Sequence, residues 1–251
     1  SMGRSRLSGL LPAEVMVVEA CARWDPGSLF PVERAYIADA PLPRQAEFST
    51  VRRCAAEALA RLGRARLPMV PGRDGAPSWP DGVVGSMTHC QGVCAAAVTD
   101  DPSIAGVGID IERVPAGPSD LLDLVVMREE RAALKWLRGP TPAGLWEQVV
   151  FSAKESVYKA WHPVEHRWLG FEDVVIDVRQ DSLLTGSFGV VLLNDSCSRA
   201  RWRESAQGRW TADEDFVATA LVLRGDLLRG DPGTKGGDDR PGTRDKPSRD
   251  D

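Results

Sequence analysis

The segment Ile104–Glu112 reads Ile-Ala-Gly-Val-Gly-Ile-Asp-Ile-Glu and is the clearest strand in the chain. A strand repeats every two residues, so Asp110 and Glu112 point to one side while Ile109 and Ile111 point to the other. A fold that buries the isoleucines must hold two carboxylates side by side. They repel unless a cation lies between them or water surrounds them. A hard dication with oxygen ligands relieves the repulsion, and magnesium suits a site that keeps waters and phosphate oxygens as further ligands. Taken alone, Asp-x-Glu is a weak signal for a metal and reads more simply as a strand end with two solvated acids.

Other elements surround this strand. Val15–Ala20 reads as a buried strand. Arg44–Leu62 carries apolar residues at helical spacing and ends at Gly63. Val83–His89 leads into Val93–Val98, a small-residue segment that can be strand. Leu121–Leu137 and Leu145–Trp161 read as helices, and Phe171–Val178, Gly186–Leu193 and Phe216–Leu223 as three strands of one antiparallel sheet. Strand, helix and strands occur in each half, split near Val114–Ser119. The expected class is α+β: two similar, pseudo-symmetric lobes, each a small mainly antiparallel sheet packed with helices, with the site in the cleft between them. The lobes are expected at residues 1–118 and 119–224. Residues 225–251 are charged and rich in Gly and Pro, which predicts a disordered tail.

Bulk properties narrow the function classes. With 251 residues the chain can bury a sizeable core. Its net charge of -5 argues against binding a nucleic acid backbone, so any phosphate site must be local. No run reaches the length of a membrane span. Five cysteines (Cys21, Cys54, Cys90, Cys94 and Cys197) have no framework spacing, which points to free thiols in a reducing cytoplasm. Ser1-Met2 reads as an expression scar.

A second constellation is Phe151-Ser-Ala-Lys-Glu-Ser-Val-Tyr-Lys-Ala-Trp161. At about 100° per residue, Phe151, Val157, Tyr158, Ala160 and Trp161 form an apolar arc, with Ser152, Glu155 and Lys159 on an adjoining polar flank. Lys154 projects from the apolar arc, where an ammonium must snorkel or meet an anion. An ordinary amphipathic helix with an i,i+4 Glu–Lys pair gives the same pattern. A third is Trp79-Pro-Asp-Gly-Val-Val-Gly-Ser-Met-Thr-His-Cys90, in which glycines admit a close ligand and Ser86, Thr88 and His89 supply donors. Three carboxylates with two lysines suit a metal–pyrophosphate site.

Gly108-Ile-Asp-Ile-Glu112 followed by Phe151-Ser-x-Lys-Glu-Ser-x-Tyr-Lys159 resembles the two signature motifs of 4′-phosphopantetheinyl transferases. The Trp79–Cys90 segment is similar to a further signature of the Sfp-type group, in its EntD-like branch of siderophore and antibiotic pathways. The chain's length also resembles the Sfp type, a two-lobed monomer, rather than the short trimeric holo-acyl-carrier-protein synthases. The resemblance covers roughly residues 13–224. It implies transfer of the phosphopantetheine arm of coenzyme A to a serine of an apo acyl or peptidyl carrier protein of a fatty acid, polyketide or nonribosomal peptide synthase, with release of 3′,5′-ADP. It implies Asp110, Glu112 and Glu155 as ligands of magnesium, with manganese as a substitute, and Glu155 as general base. It assigns Lys159 and Lys154 to the phosphates, Ser86 and His89 to coenzyme A, and Arg44 and Arg52 to its 3′-phosphate. Arg73, in the Gly-rich turn Pro71–Gly75, is a weaker candidate for a nucleotide contact under the same resemblance.

Departures from the family pattern are local. Gly92-Val93-Cys94 stands where many relatives carry Gly-Tyr-Arg, and Arg52-Arg53-Cys54 where relatives often have Arg-His-Cys. His89, Cys90 and Cys94 lack the fourth ligand of a zinc site. Carrier docking is expected on Leu121–Trp136, with Met127, Arg128, Arg131 and Lys135, a segment that also reads as a helix packing on the core. Two other functions stay open on the residues: a non-catalytic coenzyme A-binding module and a metal-dependent nuclease.

Overall fold

The computed structural model describes residues 5–72, 76–114, 124–137, 139, 141, 143–193 and 202–225. Cys197, Arg73 and the segment from residue 226 onward lie outside the described residues, as does the Leu121 end of the expected docking segment. Among the described residues the fold is α+β, built on two antiparallel sheets.

The first sheet holds β1 (Met16–Cys21), β2 (Val84–Cys90) and β3 (Val93–Thr99) in the order β1-β3-β2. The short helix α1 (Pro31–Ile37) precedes α2 (Leu42–Arg61), which covers one face of this sheet. Alternation along β3 divides its side chains. Cys94, Ala96 and Val98 meet Val51, Ala55 and Leu59 of α2, while Ala95 and Ala97 face a second core.

The second sheet holds β4 (Ile104–Arg113), β5 (Val174–Ser182), β6 (Thr185–Leu192), β7 (Ala206–Ala212) and β8 (Phe216–Arg224), ordered β4-β8-β7-β6-β5. Between β4 and β5 run α3 (Arg128–Leu134) and α4 (Leu145–Glu165). Leu145, Val149, Val150, Ala153, Val157, Ala160 and Trp161 of α4 pack on Val217, Leu221 and Leu223 of β8 and on Ile176 and Val190. On the opposite face, Val107, Ile109 and Ile111 join Ala218, Ala220 and Val222 against Ala95 and Ala97 of the first sheet. The isoleucines of the 104–112 segment therefore occupy the core between the sheets.

The change of sheet comes between β3 and β4, earlier in the chain than the expected lobe boundary at residue 118. The three strands expected in one sheet share it with β4 and with β7, a strand the sequence pattern did not predict. Its residues Ala-Gln-Gly-Arg-Trp-Thr-Ala bury Gly208, Trp210 and Ala212 alternately, and Thr211 is its one β-branched residue. The helix expected over Leu121–Leu137 is described as α3 over Arg128–Leu134.

Candidate active site

The site begins with the approach of α4 to β4. Gly106, Gly108, Asp110 and Glu112 lie on one face of β4, and Ser152, Ser156 and Ala160 recur every four residues along α4. Four helical residues rise about 6 Å and two strand residues about 6.8 Å, so the two rows stay in step. Ser152 Oγ donates to Asp110 Oδ2 at 2.8 Å. A Cβ at Gly108 would lie 1.8 Å from the Ser156 carbonyl oxygen, and one at Gly106 would lie 3.0 Å from that of Ala160. The two glycines let the helix lie on the strand, antiparallel to it, which carries Lys159 and Glu155 to the level of the acids.

Lys159 Nζ donates to Asp110 Oδ1 at 2.7 Å, to the Ile109 carbonyl oxygen at 3.1 Å and to Thr88 Oγ1 at 3.4 Å. Thr88 Oγ1 in turn donates to Asp110 Oδ1 at 3.2 Å. On the side of β4 away from β8, side chains of β2 supply partners. Ser86 Oγ accepts from Ile109 N at 3.1 Å and Thr88 Oγ1 from Ile111 N at 3.3 Å. Cys90 Sγ donates to Glu112 Oε2 at 3.7 Å. Hydroxyls thus satisfy the edge of β4 and join the two sheets beside the acids.

Electrostatics follow from this crowding. Burial, with the Asp110 charge adding to it, pushes the Glu112 carboxyl up to about 7, against the opposing pull of Lys159. Burial also raises Glu155, while Lys159 opposes the shift and Asp110 adds to it. Next to them a cavity of about 220 Å³ is lined by Ala76, Pro77, Ser86, Glu155, Tyr158 and Lys159, among others. Tyr158 packs against Trp168, with ring centroids 5.1 Å apart and the planes tilted by 60°.

His89 and Arg44 meet at the end of α2. An Arg44 guanidinium nitrogen contacts the His89 ring, and Glu47 Oε2 lies 3.4 Å from His89 Nδ1 and 3.7 Å from Arg44 Nη1. Burial lowers the His89 pKa and the Arg44 charge lowers it further, with Glu47 opposing.

Two predicted contacts are held elsewhere. Lys154 is buried and its Nζ pairs with Glu130 Oε2 at 3.0 Å, donating also to the carbonyl oxygens of Val125 and Phe171. The anion it meets is a carboxylate of α3, and the ammonium does not line the cavity. Arg52 is likewise buried, 3.7 Å from Glu33 Oε1 and donating to the Met69 carbonyl oxygen at 2.7 and 3.0 Å. Its guanidinium lies over the Phe48 ring. Both cations are spent on packing α3 and the 66–69 segment, and neither faces the cavity.

The structure also adds residues to those predicted. Thr88, one donor among several in its motif, and Ser152, part of a polar flank, both bond Asp110. Ser86-x-Thr88-x-Cys90 alternates in step with Asp110-x-Glu112, and that shared period of two is the signal that could have paired them.

Among the described residues no group of three His, Cys, Asp or Glu side chains stands close enough to hold a metal ion as arranged. The chemistry of the donor set nevertheless fits a hard dication. Its donors are carboxylate oxygens, and Lys159 is the cation that acts on all three of Asp110, Glu112 and Glu155. Among the described residues no helix is long and apolar enough to cross a membrane.

The chain is similar to known proteins over most of its length. Residues 32–99 match the model of the 4′-phosphopantetheinyl transferase N-terminal domain, and residues 106–220 that of the 4′-phosphopantetheinyl transferase superfamily. The 4′-phosphopantetheinyl transferase Svp of Streptomyces mobaraensis is 42% identical over 221 residues, 86% of this chain and 89% of that protein. The 4′-phosphopantetheinyl transferase PptT of Mycobacterium tuberculosis is 40% identical over 224 residues, 86% of this chain and 97% of that protein. Enterobactin synthase component D of Salmonella typhi is 36% identical over 120 residues, 47% of this chain and 48% of that protein.

Proposed function

The chain belongs to the 4′-phosphopantetheinyl transferase superfamily, in its Sfp type, and on that premise we propose how its own residues carry the transfer. Coenzyme A is the substrate and a carrier protein the acceptor.

The observation that carries the residue assignments is the Lys159–Asp110 contact at 2.7 Å where α4 lies on β4, beside the cavity, with Glu112 and Glu155 near enough to feel both charges. A carrier serine hydroxyl attacks the β-phosphate of coenzyme A, the bond to the leaving phosphate breaks, and 3′,5′-ADP departs. Glu155 takes the serine proton. It lines the cavity, and burial has raised its proton affinity, which favours it as a base. Lys159 places an ammonium where charge develops on the departing phosphates, and Thr88 and the Ile109 carbonyl hold it there. Asp110, Glu112 and Glu155 would hold magnesium, or manganese in its place, and the cation would supply neutralisation of pyrophosphate charge. Arg44 and His89 take the 3′-phosphate side of coenzyme A, and Ser86 lies in the cavity wall.

The acceptors are carrier domains of peptide, polyketide or fatty acid synthases in siderophore or antibiotic pathways, and the enzyme works as a cytoplasmic monomer. The likeness to enterobactin synthase component D, over about half of each chain, supports a siderophore pathway. Docking uses the exposed side of α3 with Trp136, whose inward residues Glu130 and Leu134 pack on the core.

Mass spectrometry of an apo-carrier protein incubated with coenzyme A and magnesium tests the reading. Wild type adds one phosphopantetheine to the carrier serine; Glu155→Gln adds none on the same time scale. Wild-type turnover by folded Glu155→Gln removes Glu155 as the base.

A further inference from the structure

The row of β8 facing α4 runs Val217, Thr219, Leu221, Leu223. Thr219 is the polar residue in it, is fully buried, and pairs across the ladder with Asp110. A buried hydroxyl in an apolar row costs stability unless it is bonded. This one contacts Ser152 Oγ at 2.9 Å, the Ser152 carbonyl oxygen at 2.9 Å and Ser156 Oγ at 2.6 Å. Ser152 and Ser156 are also fully buried.

Counting protons orders the cluster. A hydroxyl has one proton, and a carboxylate paired with an ammonium only accepts. The Ser152 proton is therefore committed to Asp110 Oδ2. At the Ser152–Thr219 contact the donor must then be Thr219, whose proton is shared between Ser152 Oγ and the Ser152 carbonyl oxygen. Thr219 has none left for Ser156, so Ser156 donates to Thr219. The hydroxyl-to-hydroxyl contacts then run one way, from Ser156 to Thr219 to Ser152 to Asp110, while Ser156 Oγ also donates to the Thr219 carbonyl oxygen at 3.3 Å and the Thr219 proton is shared with the Ser152 carbonyl oxygen. Oδ1 is served separately, by Thr88 and Lys159. Hydrogen bonds aligned in one direction polarise one another.

We propose that Ser156, Thr219 and Ser152 form a one-way hydroxyl relay that fixes the plane of the Asp110 carboxylate, and that this positioning sets the affinity of the cleft for its divalent cation. The relay leaves Oδ1 as the oxygen turned toward Lys159 and the cleft. Its residues touch no substrate and act through Asp110; partners of this kind orient a ligand and typically change metal affinity about 10- to 100-fold. The inference rests on the reading that Asp110 holds magnesium.

Calorimetry of magnesium binding to the protein saturated with coenzyme A tests it, with Asp110→Asn as the reference for that reading. Thr219→Val keeps shape and removes the donor. It is expected to weaken magnesium binding about ten-fold. Coenzyme A affinity measured in a chelator should stay within about two-fold of wild type, a split that general loosening of the fold does not produce. Thr219→Ser restores the hydroxyl and is expected to restore the affinity. If Asp110→Asn loses magnesium and Thr219→Val binds it as wild type does, the relay is overturned. If Asp110→Asn itself binds magnesium normally, the metal assignment fails and the relay with it. Should Thr219→Val not fold, Ser152→Ala removes the last donor, and unchanged magnesium affinity in that variant overturns the relay equally.

Discussion

Gly108 lies directly beneath Ser156: a Cβ on the glycine would fall 1.8 Å from the serine carbonyl oxygen and 2.8 Å from its carbonyl carbon. Backbone cannot yield as a flexible side chain can, so this contact decides how near α4 comes to β4. Lys159, three residues further along the helix, reaches Asp110 because of that nearness. Gly108→Ala is expected to cost at least about 3 kcal/mol of stability and to leave any folded protein nearly inactive. Gly106→Ala, with its nearest contact at 3.0 Å, should be milder on both counts. Urea denaturation midpoints beside transfer rates measure the difference.

Lys159 has a quarter of its side chain exposed and Asp110 very little, so their contact is partly screened and matters more for position than for stability. Lys159→Ala should reduce transfer about 100-fold or more while the melting temperature moves by only a few degrees. A thermal scan beside a single-turnover assay checks both halves of that expectation.

The buried Lys154–Glu130 pair behaves differently. Glu130 accepts from Met127 N and Ile176 N, so it ties α3 to β5, and Lys154 compensates its charge. Lys154→Met leaves a buried carboxylate unpaired, which typically costs about 3–5 kcal/mol. The loss should appear in stability, while KM for coenzyme A of the folded fraction stays at the wild-type value. A raised KM at unchanged stability would return Lys154 to the phosphates.

Cys54 on α2 and Cys94 on β3 are buried where the helix covers the sheet, and burial pushes their thiols up to about 11 and about 12. Cys90, half-buried beside Glu112, is raised to about 11. An unfolded chain releases these protons near about 8.5. The folded state binds them more tightly, so this stabilisation is complete below about pH 8.5 and is lost as pH rises toward the folded values. Denaturation midpoints should fall between about pH 8 and about pH 10.5, and a Cys54→Ala, Cys94→Ala variant should show a shallower fall. In native protein a thiol reagent at neutral pH should modify exposed Cys21 ahead of Cys54 and Cys94.

Much of the site was legible in residue order because its logic is local. A period of two places Asp110 and Glu112 on one side of β4 and the isoleucines in the core, and α4 appears over Leu145–Glu165 where the spacing predicted a helix. The motifs also carried the family, which the similarity to known transferases establishes over both sheets. Partners across the fold were not legible. Nothing near Lys154 in the sequence names Glu130, and nothing near Arg52 names Glu33; chain topology brings each pair together, and burial then forces each cation to be answered by the nearest carboxylate. Thr219 shows the same division. The strand pattern makes it face α4, but only the antiparallel register of β4 with β8 sets it opposite Asp110 and turns an isolated buried hydroxyl into part of the site. Periodicity determined which way each side chain points. Tertiary structure decided what it meets, because a contact depends on two segments and the local chain describes only one.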